Sequence, residues 1–591
     1  MTGNGTYTVA LSALTSAGTV SDSLTFTDAA GNSFPATGNS VTLVSGNVPV
    51  LVAGSFTASA SKHDVLGLVS DPTIGTITIS AYDNTSATLL GTTTVSETAT
   101  NAPVSFTITM AKFAFTNNDV IVVTAWESTG GTGTATIIAQ APAGAAGSSI
   151  NLALALTDPS VAAGESVTVT IAGVPAGWSL NAGPDLGNGT WVEQGTDLAA
   201  LAITAPAGFA GAVVLAVTER WTNPNGSVGS MFVADNVEAY APGAPIFALS
   251  GNDTLTGSGT NDLFVFAQPI GNDRIFNFNP ASSQIDLVGF VGIANFADLQ
   301  ANIANDAQGN AVITLGSGET IIVAGVDAAS LSAANFLFNQ EPVTNNPGTM
   351  TIADGAMMPM GGTIDNGGTI ALASTGGGTE LEIQARGVTL QGGGQLALSD
   401  NSQDLVTGGG QITLLSNVDN TISGAGQIGG GQLALANNAV IDASGANALT
   451  IDTGGNIVAN SGTLEATGSG RLTVNSAVAN SGLIWADGGN VVIAGAVSGG
   501  GSAAGTLTLD QSAGFSGTIA GFVSGDAIDL TDLGFGVGSL LSYTENSAGT
   551  GGTLVVSDAS QSASLALVGQ YAQSDFQMLG DATGGTLIHH T

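Results

Sequence analysis

The sequence predicts an all-β protein built from tandem β-sandwich modules, a short parallel β-roll and a β-solenoid with capping modules. Three observations predict this fold class. The 591 residues include 86 Gly, and 43% are hydrophobic while only 8% are charged, a composition that favours strands and turns over helices. Apolar and polar residues alternate along many short segments that end in Gly-rich turns. Nearly identical segments also recur in the C-terminal half, as they do in repeat proteins.

The charge balance excludes several classes of partner. The chain has 44 Asp and Glu against 6 Lys and Arg, for a formal net charge of -38. Nucleic acid and anionic membranes are poor partners, because binding their phosphates requires Lys and Arg. No apolar run is long enough to predict a membrane span, and the first residues lack the basic and apolar pattern of a signal peptide. Without Cys, no disulfide can brace the modules. Hard cations such as calcium are the better candidates.

Three sandwich modules are predicted before the roll. Residues 1–48 alternate around an Asp-Ala-Ala-Gly-Asn turn and resemble the last strands of a bacterial immunoglobulin-like (Ig-like) repeat, which predicts a partial module. Residues 49–143 are predicted to form a complete Ig-like β-sandwich. Residues 144–243 contain SVTVTIAGVPAGWSL and GNGTWVEQG. This pattern resembles the cadherin-like repeats of adhesins that type I systems secrete, and it predicts a third sandwich.

Two pairs of residues stand out in the third sandwich. Trp178 and Trp191 are predicted to be core aromatics, since one large residue per strand fills a small sandwich; carbohydrate stacking is the alternative. Asp158 and Glu165 match an acidic cluster near the start of cadherin-like repeats. The resemblance implies that they hold calcium at a module junction, but solvated surface carboxylates fit the sequence equally well.

The clearest chemistry of the chain lies in a short Gly- and Asp-rich stretch. Asp253 and Asp262 are nine residues apart, and each lies between a polar turn and an apolar residue two positions later. A looser third copy contains Asp273. This period, with carboxylates in turns and apolar residues in short strands, is typical of calcium-binding parallel β-rolls. A Gly- and Asp-rich hairpin region without metal is the alternative.

The same stretch resembles the calcium-binding module of repeats-in-toxin (RTX) proteins, especially serralysin-type C-terminal domains, and the resemblance covers residues 244–340. It implies calcium as the cofactor, held by oxygens of the turns. The implied ligands are Asp253, Asp262, Asp273, Asn252, Gly257, Gly259 and Asn261. Asn277 and Ser283 stand at positions that are usually acidic in the family, so we expect one or two calcium ions. Residues 297–305 are predicted to form a helix, since their apolar residues share one helical face.

Residues 348–517 are predicted to form β-solenoid repeats. GGGQLAL occurs at 392–398 and again at 429–435, and VANSG occurs at 458–462 and at 478–482. Periods near 20 residues, with strands between Gly-rich corners, allow each coil to pair with the next. Asn460 and Asn480 are then expected to stack as an internal amide ladder. The region resembles solenoid stretches of large bacterial surface adhesins.

The last module, residues 518–591, is predicted to cap the solenoid and to carry a type I secretion signal. Its IAGFVSGDAIDLTDLGF matches IFNFNPASSQIDLVGF in the roll module, and a solenoid needs its open edge covered. No Lys or Arg follows Arg471. RTX proteins, which the chain resembles, leave the cell through type I systems.

Together, the resemblances imply a secreted, extracellular and cell-surface-associated calcium-binding protein. We expect a non-enzymatic adhesin that mediates cell adhesion, or a structural protein of the biofilm matrix. The expected partners are calcium ions, the type I secretion machinery, and either cell-surface glycans or other copies of the chain. A surface-layer protein is a variant of this hypothesis.

The main alternative is a polysaccharide-active lyase or epimerase, because such enzymes also use parallel β-solenoids. Their sites combine carboxylates with Lys, Arg, His or Tyr. Within residues 350–516 the only basic residues are Arg386 and Arg471, and there is no His or Tyr, so we expect this region to be catalytically silent. A serralysin-like zinc protease is excluded, because the chain has no HExxH motif and only three His.

Overall fold

The computed structural model is nearly all β, with about 57% of its residues in strands and 4% in helices. It describes residues 132–154, 167–195, 198–222, 228–249, 251–486, 490–494, 496–499, 506–509, 512–515, 518–520 and 522–591. Before residue 132 it describes short segments: 18–20, 23–27, 33–37, 41–43, 50–51, 57–59, 64–70, 75–83, 88–96, 103–109 and 120–126. The predicted fold class is confirmed.

The first part of the chain forms antiparallel pairs that build a two-sheet sandwich. The strands are β1 (Gly18–Val20), β2 (Ser23–Thr27), β3 (Ser33–Thr37), β4 (Val41–Leu43), β5 (Val50–Leu51), β6 (Thr57–Ser59), β7 (Asp64–Ser70), β8 (Thr76–Asp83), β9 (Thr88–Ser96), β10 (Val104–Thr109), β11 (Val120–Trp126) and β12 (Thr132–Gln140). One sheet joins β5, β6, β7 and β10, and the other joins β8, β9, β11 and β12. Apolar residues from both sheets, such as Phe106 and Ile121, share one core.

A second sandwich follows, and its core contains one of the two predicted tryptophans. Its strands are β13 (Pro142–Ala145), β14 (Ser149–Asn151), β15 (Val167–Ala172), β16 (Ser179–Leu180), β17 (Asp185–Gly187), β18 (Thr190–Gly195), β19 (Ala202–Thr204), β20 (Gly211–Thr222) and β21 (Val228–Tyr240). Trp178 is buried and meets Phe209 edge to face at 5.0 Å. Trp191 is partly buried against the same core. Both positions agree with the predicted core role. Asp158 and Glu165 lie outside the described residues.

The next module is a parallel β-roll, as predicted. Its strands are β22 (Ile246–Phe247), β23 (Thr254–Thr256), β24 (Leu263–Ala267), β25 (Asn272–Phe276), β26 (Gln284–Val288), β27 (Ile303–Asn305), β28 (Ala311–Thr314), β29 (Thr320–Val323) and β30 (Phe336–Phe338). Successive strands alternate between two sheets: β22, β24, β26 and β30 pair in one, whereas β23, β25 and β29 pair in the other. Short 3₁₀ turns lie at Gly316–Gly318, Ala328–Ser330 and Ala333–Asn335.

The predicted helix at 297–305 is wrong in extent. Helix α1 covers only Phe296–Gln300, and its first turn is capped by the Asn295 side chain, which accepts a hydrogen bond from the Ala297 N–H. Residues 303–305 instead pair antiparallel with β28 as strand β27. Sheet pairing therefore overrides the apolar helical spacing at Ile303.

Beyond the roll, the chain winds into a β-solenoid of about 11 turns. Its strands are β31 (Val343–Asn346), β32 (Thr349–Ala353), β33 (Met357–Asn366), β34 (Thr369–Ala373), β35 (Thr379–Gln391), β36 (Gln395–Gly408), β37 (Leu414–Asn417), β38 (Thr421–Gly429), β39 (Ala434–Asn437), β40 (Val440–Asp442), β41 (Leu449–Ile451), β42 (Val458–Asn460), β43 (Thr463–Glu465), β44 (Arg471–Val474), β45 (Val478–Asn480), β46 (Leu483–Ala486), β47 (Asn490–Ile493), β48 (Ala496–Gly499) and β49 (Thr506–Leu509).

The coils pair in parallel along three ladders, here called faces A, B and C. Face A runs β31, β33, β35, β37, β39, β42, β45, β48. Face B runs β32, β34, β36, β38, β40, β43, β46, β49. Face C runs β33, β35, β36, β38, β41, β44, β47. The long strands turn a corner and serve two faces, with a register shift between Met360 and Gly362 in β33.

The repeats found in the sequence have different structural meanings. The two VANSG copies lie in β42 and β45 of face A, with Val458 directly beside Val478, so this period is one coil. The two GGGQLAL copies lead into β36 on face B and β39 on face A. Their spacing is therefore not a whole number of coils.

The C-terminal module continues two of the faces and then covers them. Its strands are β50 (Thr518–Ala520), β51 (Ala527–Leu530), β52 (Leu540–Glu545), β53 (Gly551–Ser557), β54 (Ser562–Val568), β55 (Phe576–Gly580) and β56 (Thr586–His590), with 3₁₀ turns at Ser512–Gly514 and Gln573–Asp575. Strands β50 and β51 extend faces A and B. The antiparallel meander β52–β53–β54 returns parallel to β50, as β27–β28–β29 returns parallel to β25 in the roll. The predicted kinship of these two modules is thus visible in their topology.

The modules are joined by backbone pairing. The second sandwich contributes β20 to the edge of the solenoid at β32 and β13 to the edge of the roll at β23. At the first junction Gly211 has φ +139, and a Cβ there would lie 1.8 Å from the Thr351 carbonyl oxygen, so this contact requires glycine. The Asn236 side chain also exchanges two hydrogen bonds with the Met357 backbone, at 2.7 and 2.9 Å.

A ladder of buried amide side chains runs along face A, and the predicted Asn460–Asn480 pair is part of it. Asn437 donates to Asn460 at 2.9 Å, and Asn460 donates to Asn480 at 2.8 Å, across 23 and 20 residues of sequence. Each amide therefore pairs with the next coil in a place that water does not reach. The ladder contains Asn346, Asn366, Asn420, Asn417, Asn437, Asn460 and Asn480.

Replacing Asn460 by Ala should lower the free energy of unfolding of the solenoid by roughly 2–3 kcal/mol, because it leaves buried amide groups of Asn437 and Asn480 with fewer partners. Denaturant unfolding of the full chain, followed by circular dichroism, measures this change. The exposed Asn475, which follows β44 on the same coil, is the matched control, and Asn475→Ala should change stability by less than about 0.5 kcal/mol. Equal effects of the two changes would contradict the ladder's role.

Candidate metal centre in the β-roll

Two of the predicted ligands, Asp253 and Asp273, come together at the start of neighbouring strands. Strands β23 and β25 are in parallel register, with Thr254 beside Arg274. Each Asp precedes the paired strand residue and points inward, because side chains alternate along a strand. The Asp253 N–H donates to Asp273 Oδ1 at 2.8 Å. Asp273 is 0% exposed, and its Oδ2 meets no hydrogen-bond partner in the described part of the chain.

Two further buried carboxyls extend this pair, and we call the four residues Glu238, Asp253, Asp273 and Glu319 the acidic chain. All four are less than 10% exposed. Glu238 comes from the second sandwich and accepts hydrogen bonds from Asn236 Nδ2 at 2.9 Å and from the Tyr240 hydroxyl at 3.2 Å. The acidic chain therefore crosses from the sandwich into the roll.

Glu319 lies at the roll end of the acidic chain. Its Oε1 accepts from the Ile270 N–H at 3.0 Å, and its Oε2 accepts from Gln268 Nε2 at 2.9 Å. Both partners are neutral, so they orient the carboxylate without cancelling its charge.

Burial and mutual repulsion favour the protonated forms of Asp273 and Glu238. Burial is the larger cause that raises the pKa of Asp273 well above its usual value, and the charge of Asp253 raises it further. Burial likewise raises the pKa of Glu238, again with a contribution from Asp253. A cation bound among these groups would replace the protons and relieve the repulsion.

Asp262 lies in a separate turn, where neutral donors surround it. Its Oδ1 accepts from the Ser258 N–H at 3.0 Å and the Ser258 hydroxyl at 2.7 Å. Its Oδ2 accepts from the Gly259 N–H at 3.1 Å and the Ser283 hydroxyl at 3.4 Å. This carboxylate is therefore satisfied by the turn itself and by the next strand of its sheet.

Three more predicted ligands lie in the same turn. The carbonyl oxygen of Gly257 accepts from the Asn277 side chain at 2.9 Å, and that of Gly259 accepts from the Asn279 side chain at 2.9 Å. Asn261 has φ 45, a turn conformation that Asn tolerates, and its N–H donates to Ser282. A Cβ at Gly257 would lie 2.7 Å from Asp262 Oδ2, so the turn closes tightly around the carboxylate.

The remaining predicted ligand, Asn252, is used to tie the roll together. Its Oδ1 accepts from the Asn272 N–H at 2.7 Å, directly beside the Asp253–Asp273 pair. The Asn272 Oδ1 in turn accepts from the Thr320 hydroxyl at 2.7 Å. Side-chain amides thus link three successive strands of one sheet.

These two places fit calcium differently. Calcium takes about six to eight oxygen ligands from carboxylates, carbonyls and water. Among the residues that the structure describes, no group of three or more His, Cys, Asp or Glu could hold a metal ion by itself. At Asp253 and Asp273, a buried carboxylate oxygen lies among other acidic groups, so a bound cation would relieve their repulsion. At Asp262, neutral donors take the oxygens that an ion would need. Calcium binding by any of the seven predicted ligands stays a prediction.

Glu238 and Glu319 also belong to this site, although neither is predicted from the sequence. A signal existed for Glu319, since strand alternation with the buried Ile321 and Val323 puts it on the inward side. No such signal existed for Glu238, because its position beside the roll depends on how two modules pair.

Other buried carboxyls lie outside the roll. Glu219 is 0% exposed within the second sandwich, and neither of its carboxyl oxygens has a partner among the described residues; burial raises its pKa to about 7. Asp404 is also fully buried, on face C, and burial raises its pKa to about 6 even though the Ser399 hydroxyl donates to it at 2.6 Å. Buried, uncompensated carboxyls are thus a general property of the protein.

Replacing Asp273 by Asn should stabilise the calcium-free protein at pH 7 and abolish its stabilisation by calcium. The raised pKa values of Asp273 and Glu238 mean that the stability they contribute is greatest below about pH 4 and falls as the pH rises. Calcium should cancel this fall, and Asp273→Asn should reduce it. Calorimetric melting of the full chain between pH 4 and 8, with millimolar calcium or with chelator, measures both effects.

The exposed Asp365 supplies the matched control, since Asp365→Asn removes the same charge from face A. It should leave the response to calcium unchanged. The assignment would be wrong if the wild-type protein melted at the same temperature with and without calcium, or if Asp273→Asn responded like the wild type.

Comparisons with known proteins identify no family for this chain. No family model matches the sequence, and no curated protein matches it significantly. The structure describes no helix long and apolar enough to cross a membrane, among the residues it covers. The all-β fold with its roll and solenoid is therefore supported by the structure alone.

Proposed function

We propose that this protein is a secreted, calcium-binding adhesin of the cell surface or biofilm, or a structural protein of the extracellular matrix, without catalytic activity. The observation that carries the proposal is the acidic chain, which lies where a sandwich, a β-roll and a solenoid are joined by backbone pairing. Such a junction suits a protein that must become rigid when it meets calcium.

In the proposed export, calcium determines on which side of the cell envelope the chain folds. In a calcium-poor cytoplasm, repulsion between the buried carboxylates opposes folding of the roll. Outside the cell, an ion that binds only the folded state adds stability by mass action. The chain would then fold after it has crossed the envelope.

The solenoid chemistry supports a non-enzymatic role. Arg386 forms an ion pair with Glu341 at 3.1 Å. Asp404, whose raised pKa would suit a general acid, is 0% exposed and so cannot reach a polysaccharide. Asp354, whose charge helps to raise that pKa, is committed to the N–H groups of Thr375 and Gly377 at 2.9 and 2.8 Å.

Cells of the producing bacterium should attach to surfaces coated with the full chain when calcium is present and detach on chelation. Asp273→Asn should weaken this dependence on calcium at least tenfold, whereas Asp365→Asn should not. Counting attached cells under flow measures the effect.

The same protein, incubated with neutral and uronic-acid polysaccharides, should release no sugar. Reproducible release of products would favour the polysaccharide-active alternative, and attachment that ignores calcium would contradict the proposal.

The C-terminal module should direct type I export. A reporter fused ahead of residues 518–591 should appear in the medium when a type I transporter is co-expressed, because these residues contain no Lys or Arg and are built largely of Gly, Ser, Asp and apolar residues. Immunoblots of medium and cells measure the distribution. A reporter fused to residues 244–340 is the control and should remain inside. Retention of both fusions, while an RTX tail exports the same reporter, would show that residues 518–591 act only as a cap.

A further inference from the structure

A groove of about 470 Å³ lies on the outer side of face B, where the last coils meet the C-terminal hairpin. Its floor consists of outward residues on successive strands: Trp485 on β46, Thr508 on β49 and Asp529 on β51. These residues are in direct register. The loop between β55 and β56, which carries Asp581 and Thr583, forms one wall.

Packing among the described residues does not explain why a Trp occupies position 485. It is the only Trp after Trp221 in the sequence. Its neighbour Ile484 is 0% exposed and fills the solenoid core, so alternation points Trp485 outward, where it remains partly exposed. Among the described residues, its indole N–H has no hydrogen-bond acceptor and its ring meets no other aromatic ring. Trp178, by contrast, is buried against Phe209.

Carboxylates flank the indole on both sides. Glu465 is beside Trp485 on the preceding coil, and Asp529 is two coils further on, at roughly 4.8 Å per coil. Asp581 is fixed at the rim, because its Oδ1 accepts from the N–H groups of Thr583 and Gly585, both at 2.7 Å. The groove thus presents one flat ring between carboxylates, of which Asp581 is held in place by its own loop.

We propose that this groove binds a neutral hexose-based polysaccharide. One pyranose ring stacks its C–H face on Trp485, and its hydroxyls donate to Asp529 and Asp581. A ring with one open face and polar groups at its edge suits an amphipathic ligand of this kind. The proposal deepens the proposed adhesin function, on which its biological meaning rests, by naming the class of partner and its site.

The charge of the groove excludes the anionic sugars. None of its lining residues is Lys or Arg, and the chain carries a formal net charge of -38, so uronic acids and sulfated glycans are repelled. A cationic side chain is the other ligand that carboxylates attract. A single aromatic ring on an open floor differs, however, from the enclosing aromatic cages that hold ammonium groups, so the geometry favours the neutral sugar.

The test uses the full chain, with calcium, and a panel of soluble hexasaccharides of glucose, galactose, mannose and N-acetylglucosamine. At least one should bind by calorimetry and shift the tryptophan emission. Trp485→Ala and Asp529→Asn should each lower the affinity at least tenfold, and Trp485→Phe should abolish the emission shift while keeping part of the affinity. Val537→Ala, at a fully exposed position elsewhere, should bind like the wild type, and unchanged melting shows that each variant folds.

Several results would overturn the proposal. They are the absence of binding to every sugar in the panel, equal binding by Trp485→Ala and wild type, and tighter Trp485-dependent binding of an oligolysine peptide than of any sugar. Calcium-dependent cell attachment without sugar binding would remove the groove and leave the adhesin function standing. Trp485-dependent sugar binding without any cell attachment would support the groove and remove the adhesin function.

Discussion

Parallel hydrogen bonding between successive coils is the constraint on which the rest of the molecule depends. Each coil satisfies its backbone groups only through its two neighbours, so the inward residues must be apolar, such as Ile441 and Leu464, or must pair with themselves, as the asparagines of face A do. The first and last coils each leave an open edge. Strand β20 of the second sandwich covers part of the first edge, and β56 pairs antiparallel with β51 at the last. The flanking modules are therefore structural requirements of the solenoid as well as additions to it.

The shortage of Lys and Arg side chains affects the buried carboxyls as strongly as those on the surface. With 6 Lys and Arg for 44 Asp and Glu, buried carboxyls such as Glu219, Asp273 and Asp404 must be held by neutral donors, by protons or by an external cation. The roll uses the first solution at Asp262, where amide, hydroxyl and N–H donors close the turn. At Asp273, Oδ1 accepts from the Asp253 N–H, but Oδ2 has no hydrogen-bond partner among the described residues, so a proton or a cation would compensate its charge. We therefore expect folding of this junction to depend on pH and on the proposed cation.

Local periodicity predicted the fold class and the Asn460–Asn480 contact, but it did not predict which residues meet in the roll. The nine-residue spacing of Asp253 and Asp262 correctly indicated a roll, yet strands one repeat apart belong to opposite sheets. Side chains stack two repeats apart, which brings Asp253 to Asp273 instead. The inclusion of Glu238 depends on module docking, and the length of α1 depends on strand pairing at Ile303. Both are long-range effects that a single sequence does not encode in its local pattern.

The direction of the amide ladder has a mechanical consequence. Strands lie across the solenoid axis, so the backbone hydrogen bonds and the Asn437–Asn460–Asn480 contacts all point along it. Tension between the sandwich and the C-terminal end would therefore act parallel to these hydrogen bonds. The ladder adds a side-chain bond to that set, in a place shielded from water. Under such load, the amide ladder should raise the force needed to separate the coils that carry it.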